Sequence, residues 1–226
     1  MAGTEGSKIM YIDAFFTEGK NHLVIAPSGG GKTLIALQFM LSCATKGKKC
    51  IFLATNEPAL EIVEGAGRLG LPLNEFCEKG KVSLYNISYT KLFDLSPKGF
   101  NEVLKQLERE ILLKEDFGPG SCLVIDTIDG LLPYSVPLDI RIDFYRFLLN
   151  YLEDKKYTVL LTATPMLGEF LSQYVHTLIE IRLIRKEGAT KRVLTIRKRR
   201  WSLEDPDKKY ILELKRGEGL VAYLEE

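Results

Sequence analysis

One segment of this sequence combines a glycine-rich turn with a lysine and a hydroxyl, residue types that together can hold a polyphosphate. Residues 26–33 read A-P-S-G-G-G-K-T. Glycines let successive backbone N–H groups converge on an anion, and a helix that begins at the turn adds its N-terminal dipole. Lys32 can reach the β- and γ-phosphates, and the hydroxyl of Thr33 can ligate Mg²⁺. We therefore predict a site for ATP and Mg²⁺ formed by Ala26, Pro27, Ser28, Gly29, Gly30, Gly31, Lys32, Thr33 and Leu34.

A carboxylate at the end of an apolar run is the second feature that could do chemistry. Asp126 closes the run C-L-V-I-D at 122–126, and a buried carboxylate without a partner is costly. A phosphate-loop enzyme needs an acidic residue at the end of a neighbouring strand to hold the water shell of its metal. We assign Asp126 to that role beside Thr33, and a helix cap is the alternative. Asp129, the nearest rival, reads as a turn or cap residue.

A further acidic residue, Glu57, follows the apolar run C-I-F-L-A at 50–54. A carboxylate at this point can face the γ-phosphate and orient the attacking water as a general base. An acid directly before Pro58 is equally typical of a helix start, where it interacts with the helix dipole. The spacing leaves both interpretations open.

The elements that must position these residues alternate along the chain. Short apolar runs typical of buried strands lie at 22–26, 50–54, 82–87, 122–126 and 158–162, and stretches typical of helices lie at 33–46, 59–69, 100–113 and 140–152. This alternation predicts βαβ units and a parallel sheet covered on both faces. Strand-like runs follow at 178–184, 193–196 and 210–214 with few helical residues between them. We predict an α/β fold with a mostly parallel twisted sheet flanked by helices, a C-terminal antiparallel meander and a single domain over 1–226.

Composition limits the classes of protein to consider. The chain has 226 residues, 46% hydrophobic and 27% charged, with a net charge of +1, values typical of a globular domain. No apolar run is long enough to span a membrane, and the N-terminus lacks a basic stretch followed by an apolar one. We therefore predict a cytoplasmic protein without membrane insertion. The four cysteines form no C-x-x-C pair, which predicts buried, reduced thiols.

The C-terminal third carries an excess of positive charge. Residues 182–216 hold 13 Lys or Arg against 5 Asp or Glu. In a strand, alternate side chains face opposite sides, so Lys198 and Arg200 share one face while Arg197 and Arg199 share the other. Three interpretations stay open: two cations at a subunit interface, a nucleic-acid patch, or an edge strand that charge protects against aggregation. The small overall net charge disfavours nucleic acid as the partner.

The order of these features resembles the KaiC-like branch of the RecA-type ATPases, from about Asp13 onward. The phosphate loop is followed by A-L-Q-F at 36–39, E-I at 61–62, R-L-G-L at 68–71, V-I-D-T at 124–127, L-L-T-A-T at 160–164 and K-R-R at 198–200. The resemblance implies a RecA-like P-loop NTPase fold, ATP and Mg²⁺ as ligands, and a homo-oligomer, for which a hexamer is one arrangement. The family is common in archaea. The segment 165–170 reads as a short, mostly uncharged loop, unlike the longer basic DNA loop expected of a strand-exchange protein.

The resemblance also implies roles for single residues. Two consecutive glutamates usually end the family's second strand, and they correspond here to Asn56 and Glu57. One carboxylate that can serve as the base is therefore retained, and the other is replaced by an amide. Lys198 and Arg200 match a lysine and an arginine that the family places against the γ-phosphate of a neighbouring subunit, where they stabilise transition-state charge. Thr162 can sense the γ-phosphate by hydrogen bonding, or it can face the core.

Three functional hypotheses follow. The leading one is a Mg²⁺-dependent ATPase that works as an oligomeric switch or motor, with Lys32, Glu57, Lys198 and Arg200 as its catalytic residues. The amide of Asn56 motivates a second, a nucleotide-gated regulatory module with negligible turnover that acts on a protein partner, similar to the archaellum regulator or to recombination paralogues. The basic C-terminal third motivates a weaker third hypothesis, a DNA-repair ATPase.

Overall fold

The structure is a computed structural model, and it describes residues 9–10, 12–87, 97–186, 188–203 and 208–225. The expectation about secretion rests on residues 1–8, which lie outside these ranges. Among the described helices, none has both the length and the apolar character needed to cross a bilayer.

The described strands form one ten-stranded sheet. In chain order they are β1 Ile9–Met10, β2 Asn21–Ile25, β3 Cys50–Ala54, β4 Val82–Asn86, β5 Cys122–Asp126, β6 Thr158–Ala163, β7 Thr177–Lys186, β8 Ala189–Arg199, β9 Lys209–Lys215 and β10 Gly219–Leu224. Their order across the sheet is β1-β10-β9-β8-β7-β2-β6-β5-β3-β4. The six strands β7, β2, β6, β5, β3 and β4 pair in parallel with their neighbours in this order. The pairs β7–β8, β8–β9, β9–β10 and β10–β1 are antiparallel. The predicted α/β fold with an antiparallel C-terminal meander is confirmed.

The central strands are apolar because both faces of the sheet are covered. Every residue of β2, β3, β5 and β6 is buried, the pattern expected of parallel strands between two helical layers. The α-helices of the described chain are α1 Lys32–Thr45, α2 Ala59–Arg68, α3 Leu73–Glu78, α4 Pro97–Leu107, α5 Leu138–Asp154 and α6 Pro165–Leu171. One core cluster joins α1, α2 and α3 to one face, and a second joins α4, α5 and α6 to the other.

Several elements were not predicted, and α6 is the one nearest the chemistry. The segment expected to be a loop is the helix Pro165–Leu171, and Leu167 and Leu171 on it are buried in the core. Proline is acceptable at the first helical position because that N–H has no partner within the helix. A Cβ at Gly168 would overlap the side chain of Ile25, so α6 packs directly against β2. The short helix α3 and the strand β10 also lie outside the predicted elements.

The cysteines differ from the prediction. Cys43 of α1 and Cys122 of β5 form a disulfide that closes a separation of 79 residues, so the prediction of reduced thiols is wrong for this pair. The sequence spacing contains no signal for it, because the contact arises only when α1 packs across the sheet. Cys50 and Cys77 are free. Burial raises the pKa of the Cys50 thiol to about 12, which keeps that thiol protonated and unreactive.

Candidate functional site

The chemistry-bearing residues converge at the carboxyl edge of the parallel strands. The strand β2 leads into the turn 26–31, β3 leads into 55–57, and β5 ends at Asp126. The strand β6 lies between β2 and β5, and β3 pairs with the other side of β5. Ligands of open α/β sheets bind in the crevice outside these strand ends.

The glycines of the phosphate loop are each required by its backbone geometry. Gly29 has φ +73° and Gly31 has φ +98°, values in the left-handed region that a side chain disfavours. A Cβ at Gly30 would lie 2.7 Å from Cβ of Ala26 and 3.0 Å from the carbonyl oxygen of Pro27. The loop therefore has space for glycine alone at its centre, and α1 begins directly after Gly31.

Lys32, the first residue of α1, is folded over the loop. Its Nζ donates hydrogen bonds to the carbonyl oxygens of Ala26 at 2.7 Å and Pro27 at 3.0 Å. Partial burial lowers the pKa of Lys32, and the charges of Asp126 and Asp129 oppose that shift. The ammonium group thus lies within the loop, where the carbonyl oxygens of Ala26 and Pro27 compete with a phosphate for its N–H groups.

Asp126 is buried at the end of β5, with 6% of its surface exposed. Burial raises the pKa of its carboxyl, while hydrogen bonds from Thr162 and Thr33 and the charge of Lys32 lower it. Thr33 lies at the start of α1, so its hydroxyl connects the phosphate loop to the acidic strand end. The predicted pair of Thr33 and Asp126 is thus brought together at one point.

Thr162 lies behind Asp126. It is fully buried, its hydroxyl donates to Oδ1 of Asp126, and it is absent from the residues that line the cleft. A direct contact with the γ-phosphate is therefore not supported by this geometry. The hydroxyl of Thr162 instead fixes the orientation of the Asp126 carboxylate.

Asn56 and Glu57 follow β3 and differ in what they contact. Thr55 fixes this turn, because its hydroxyl donates to the carbonyl oxygen of Thr127 at 2.7 Å and accepts the Thr127 N–H at 3.0 Å. The Asn56 amide donates to the hydroxyl of Thr127 at 3.3 Å. The Glu57 backbone carbonyl accepts a hydrogen bond of 2.8 Å from Asn86, and its exposed side chain has no hydrogen bond to the described part of the chain.

Together these groups line a cleft of about 360 Å³. Its lining residues are Ser28, Gly29, Gly30, Gly31, Lys32, Thr33, Leu34, Asn56, Glu57, Asp126 and Thr127. Most of the predicted site residues line this cleft, including Asn56 and Glu57. A cleft lined by backbone N–H groups, one ammonium and two carboxylates can hold a polyphosphate and a hard cation.

Arg192 of β8 reaches the phosphate loop, a contact that was not predicted. Its Nη2 donates to the carbonyl oxygen of Gly29 at 3.3 Å, and its Nε is buried without a hydrogen-bond partner among the described residues. The sequence indicated only a generally basic segment here. The contact depends on the antiparallel pairing of β8 with β7, in which Arg192 lies opposite Leu183, beyond the carboxyl end of β2.

Lys198 and Arg200 lie at the opposite edge of the sheet. Lys198 pairs with Leu178 near the start of β7, and Leu178 lies opposite Leu23 in the first half of β2. Leu23 lies three residues, or about 10 Å of strand, before Ala26, and β8 is two strands away from β2 in the sheet, so neither cation reaches the phosphate loop of its own chain. Within the chain, Nζ of Lys198 donates to the carbonyl oxygen of Ser172 at 2.7 Å, and Nη2 of Arg200 donates to that of Gln173 at 2.7 Å.

Asp129 is buried in the turn after β5, with 4% exposure. Its carboxylate accepts the Thr164 N–H at 2.9 Å and the Thr164 hydroxyl at 2.6 Å. Nη2 of Arg141 donates to its backbone carbonyl at 3.0 Å. Asp129 therefore ties the ends of β5 and β6 together, and Asp126 is the acidic residue of the two that faces the cleft.

Comparison with known proteins agrees with this geometry. The family described as "ATPase: KaiC" matches residues 6–226, and the chain belongs to that family of P-loop ATPases. Among curated relatives, the circadian clock proteins KaiC2 and KaiC3 of Synechocystis sp. (strain ATCC 27184 / PCC 6803 / Kazusa) are 26% identical over 194 residues and 24% identical over 197 residues. Each alignment covers 82% of this chain but 32% and 36% of the relatives. The chain thus spans about a third of their length.

A solved structure shares the fold. The KaiC-like protein PH0186 from the hyperthermophilic archaeon Pyrococcus horikoshii OT3 matches with a TM-score of 0.76, covering 92% of this chain and 91% of that one at 23% identity. This likeness supports the RecA-like arrangement of the sheet and helices.

Proposed function

We propose that this chain is a Mg²⁺-dependent ATPase that works as an oligomeric switch or motor and completes its catalytic site between neighbouring copies. The observation that carries the proposal is the convergence of Lys32, Thr33, Asp126 and Glu57 on one cleft beside the phosphate loop. The loop N–H groups and Lys32 bind the phosphates of ATP. Membership in the KaiC family supports ATP as the nucleotide.

Thr33 and Asp126 are the residues that would hold Mg²⁺. The donors fit, because a hydroxyl and a carboxylate are hard oxygen ligands of the kind this ion prefers. Asp126 is buried, and burial raises the pKa of its carboxyl, so a nearby cation favours the ionised form. When bound, the ion would supply positive charge that neutralises the charge developing on the phosphates. Thr162 is a positioning residue that keeps the carboxylate directed at the cleft.

Glu57 polarises the attacking water. It is the carboxylate of the cleft that has no side-chain hydrogen bond among the described contacts, and it follows the parallel strand next to β5. Lys198 and Arg200 act on the nucleotide of a neighbouring copy, because they are too far from their own phosphate loop to reach it. Two cations delivered from a neighbour would make hydrolysis depend on assembly.

Replacement of Glu57 by glutamine tests the catalytic assignment. We expect Glu57→Gln to lower kcat by about 100-fold or more, the usual contribution of a general base, while ATP still binds. Glu169→Gln, an exposed carboxylate on α6 and outside the cleft, should hydrolyse ATP like the parent. Steady-state turnover and the Kd of ATP are measured on the same samples. Hydrolysis by Glu57→Gln at the parental rate would exclude Glu57 as the base.

Asn56 favours a second candidate function, a nucleotide-gated regulatory module with negligible turnover. Its amide binds the hydroxyl of Thr127 and cannot act as a base, so Glu57 is the one carboxylate left after β3. Tight, Mg²⁺-dependent retention of ATP with slow turnover would support this function, and robust multiple turnover would exclude it. Asn56→Glu separates the two, because it raises turnover if the missing carboxylate is what limits hydrolysis.

Nucleic acid is a less favoured partner for the basic segment. Arg182 and Arg197 both pair with Glu180, at 2.8 Å and 3.6 Å, and Lys198 and Arg200 are bonded to backbone carbonyls. These contacts reduce the charge that the strand presents to a phosphate backbone. Stimulation of ATP hydrolysis by single-stranded DNA at low salt would support the hypothesis of a DNA-repair ATPase.

A further inference from the structure

Two large apolar side chains stand fully exposed directly after the basic strand. Trp201 is 100% exposed and Leu203 is 107% exposed. Trp201 also has φ +60°, a left-handed conformation that is an outlier for a bulky residue. A fully exposed tryptophan buries no apolar surface against its own chain. Residues in strained backbone conformations concentrate at functional positions. We call Trp201 and Leu203 the apolar anchor.

An apolar groove lies between α1 and α2, and none of its lining residues belongs to the segment that carries the anchor. It has a volume of about 560 Å³ and is lined by Thr33, Leu34, Leu37, Glu57, Glu61, Ile62, Glu64, Gly65, Ala66, Arg68 and Leu69. The leucines and Ile62 form an apolar lining, and Glu57, Glu61 and Glu64 bring acidic charge to it. Arg68 is the one basic residue of this lining, and it lies 3.8 Å from Glu64. We call this cavity the α1–α2 groove.

The groove and the phosphate cleft share residues. Thr33, Leu34 and Glu57 line both cavities, so an occupant of the groove lies beside the nucleotide site. The apolar anchor follows Lys198 and Arg200 in the chain and therefore lies at the other edge of the sheet from the phosphate loop. The anchor therefore does not reach the groove of its own chain, and an anchor that fills this groove belongs to a second copy.

We propose that Trp201 and Leu203 of one copy dock into the α1–α2 groove of the next copy. This inference rests on the proposed function, since it supplies the contact that would bring Lys198 and Arg200 of one copy to the phosphate cleft of another. Lys198 and Arg200, which precede the anchor, carry charge opposite to that of the glutamates that line the groove. Tryptophan and arginine are also the residues that most often dominate binding energy at interfaces.

The contact uses two different surfaces, so it is head-to-tail. Each copy then keeps a free anchor at one end and a free groove at the other, and repetition produces a ring if the rotation closes. An assembly of this kind places each nucleotide site between two copies. It also predicts that damage to either surface has the same effect on assembly.

Two glycines of α2 provide a matched pair of variants. Gly65 lines the groove, and a Cβ there would approach only Arg68 Nη2, at 3.9 Å; a Cβ at Gly67 would meet nothing within 4 Å. Leucine is a better helix former than glycine at both positions, so neither substitution should unfold the helix. Gly65→Leu fills the groove, whereas Gly67→Leu leaves it open.

Size measurement by light scattering, with Mg²⁺ and a non-hydrolysable ATP analogue, is the first test. We expect the parent and Gly67→Leu to assemble and both Gly65→Leu and Trp201→Ala to stay monomeric, with Kd values for the analogue within about twofold of the parent. Tyr134→Ala, which removes another exposed aromatic side chain (75% exposed), should assemble normally. Assembly of Gly65→Leu and Trp201→Ala like the parent would overturn the docking alone, whereas a parent that stays monomeric would overturn both the docking and the oligomeric part of the proposed function. Loss of analogue binding by the parent would instead contradict the proposed function.

A mixture of the two defective variants is the second test. Trp201→Ala keeps an intact groove and Gly65→Leu keeps an intact anchor. A mixture should therefore form dimers through one intact interface and no larger assemblies, because the other two surfaces of each dimer are defective. A photo-crosslinking benzoylphenylalanine at position 201 should capture the segment 57–69 of another copy, identified by isotopic labelling of one copy. No dimer in the mixture, or capture of a different segment, would overturn the proposal.

Discussion

The hydroxyl of Thr162 donates a hydrogen bond to Oδ1 of Asp126 at the carboxyl edge of the sheet. Both residues are buried; Asp126 is the last residue of β5 and Thr162 the last but one of β6, its parallel neighbour. Of the two interpretations of Thr162, contact with the γ-phosphate or a position facing the core, the interaction favours a buried position from which the hydroxyl orients the carboxylate. It links an apolar strand, through one hydrogen bond, to the residue that would hold the metal.

Loss of the Thr162 hydroxyl should weaken the binding of Mg²⁺·ATP. Thr162→Val keeps the shape and removes a hydrogen bond to a charged group, which contributes on the order of 1.5 kcal/mol, or about tenfold in Kd. That bond lowers the pKa of Asp126, so its loss raises the pKa and weakens binding most on the acidic side of the pH profile. Thr162→Ser retains the donor and should bind like the parent. Equal pH profiles for the valine variant and the parent would contradict the positioning role.

Replacement of Asp126 by asparagine should stabilise the nucleotide-free protein at neutral pH. Burial raises the pKa of this carboxyl above its value in the unfolded chain, so its contribution to stability is present at low pH and is lost as pH rises through the folded pKa. Asp126→Asn should add about 1 kcal/mol to the unfolding free energy at pH 7 and abolish Mg²⁺-dependent binding.

The gain from Asp126→Asn should disappear as the pH falls below about 3.9, the ordinary pKa of aspartate, because the parental carboxyl is then neutral as well. Asp143→Asn is the control. It removes an exposed carboxylate that lies 3.1 Å from Arg146, and exposed pairs contribute about 0.5 kcal/mol at most. Chemical denaturation at several pH values measures both variants, and an Asp126→Asn protein that is less stable than the parent at pH 7 would refute the expectation.

The parts of the site that could be predicted are local in sequence. The phosphate loop is contiguous, and Asp126 and Glu57 each follow an apolar run whose end a parallel sheet brings to one edge. The position of Arg192 could not be predicted, because it depends on how β8 pairs with β7. The same holds for the contact of Thr162 with Asp126, the disulfide of Cys43, and the packing of α6 on Ile25, all of which join residues distant in the chain.

The geometry of the phosphate loop predicts that Gly30→Ala abolishes ATP binding. The added Cβ would lie 2.7 Å from Cβ of Ala26 and 3.0 Å from the Pro27 oxygen, so the turn must open and its N–H groups must rotate away from the phosphates. We expect the Kd of ATP to rise by at least tenfold, which is about 1.4 kcal/mol. Gly67→Ala on α2, where a Cβ meets nothing within 4 Å, should leave Kd unchanged. Binding by Gly30→Ala at the parental Kd would refute the requirement.

The disulfide between Cys43 and Cys122 should contribute substantially to stability. Closure of its 79-residue separation corresponds to about 4 kcal/mol in the chain-entropy treatment, or roughly 10 °C in Tm for a chain of this size. Cys43→Ser should therefore melt well below the oxidised parent, and the fully reduced parent should melt near the variant. Cys77→Ser removes a free thiol and should have little effect. Equal Tm values for the oxidised and reduced parent would show that the crosslink is not stabilising.

Arg192 should increase affinity for ATP from within the same chain. Its Nη2 contacts the carbonyl of Gly29 and its buried Nε has no partner among the described residues, so the guanidinium can turn toward a phosphate oxygen once the loop is occupied. A charge-assisted hydrogen bond of this kind is about twice as strong as a neutral one, and Arg192→Gln should raise the Kd of ATP by about tenfold. The effect should persist in monomeric Trp201→Ala, because Arg192 belongs to the chain that binds the nucleotide. Lys191→Gln, next to it on β8, is the control for lost charge, and a similar rise in Kd for both variants would assign the effect to the general field of the basic strand.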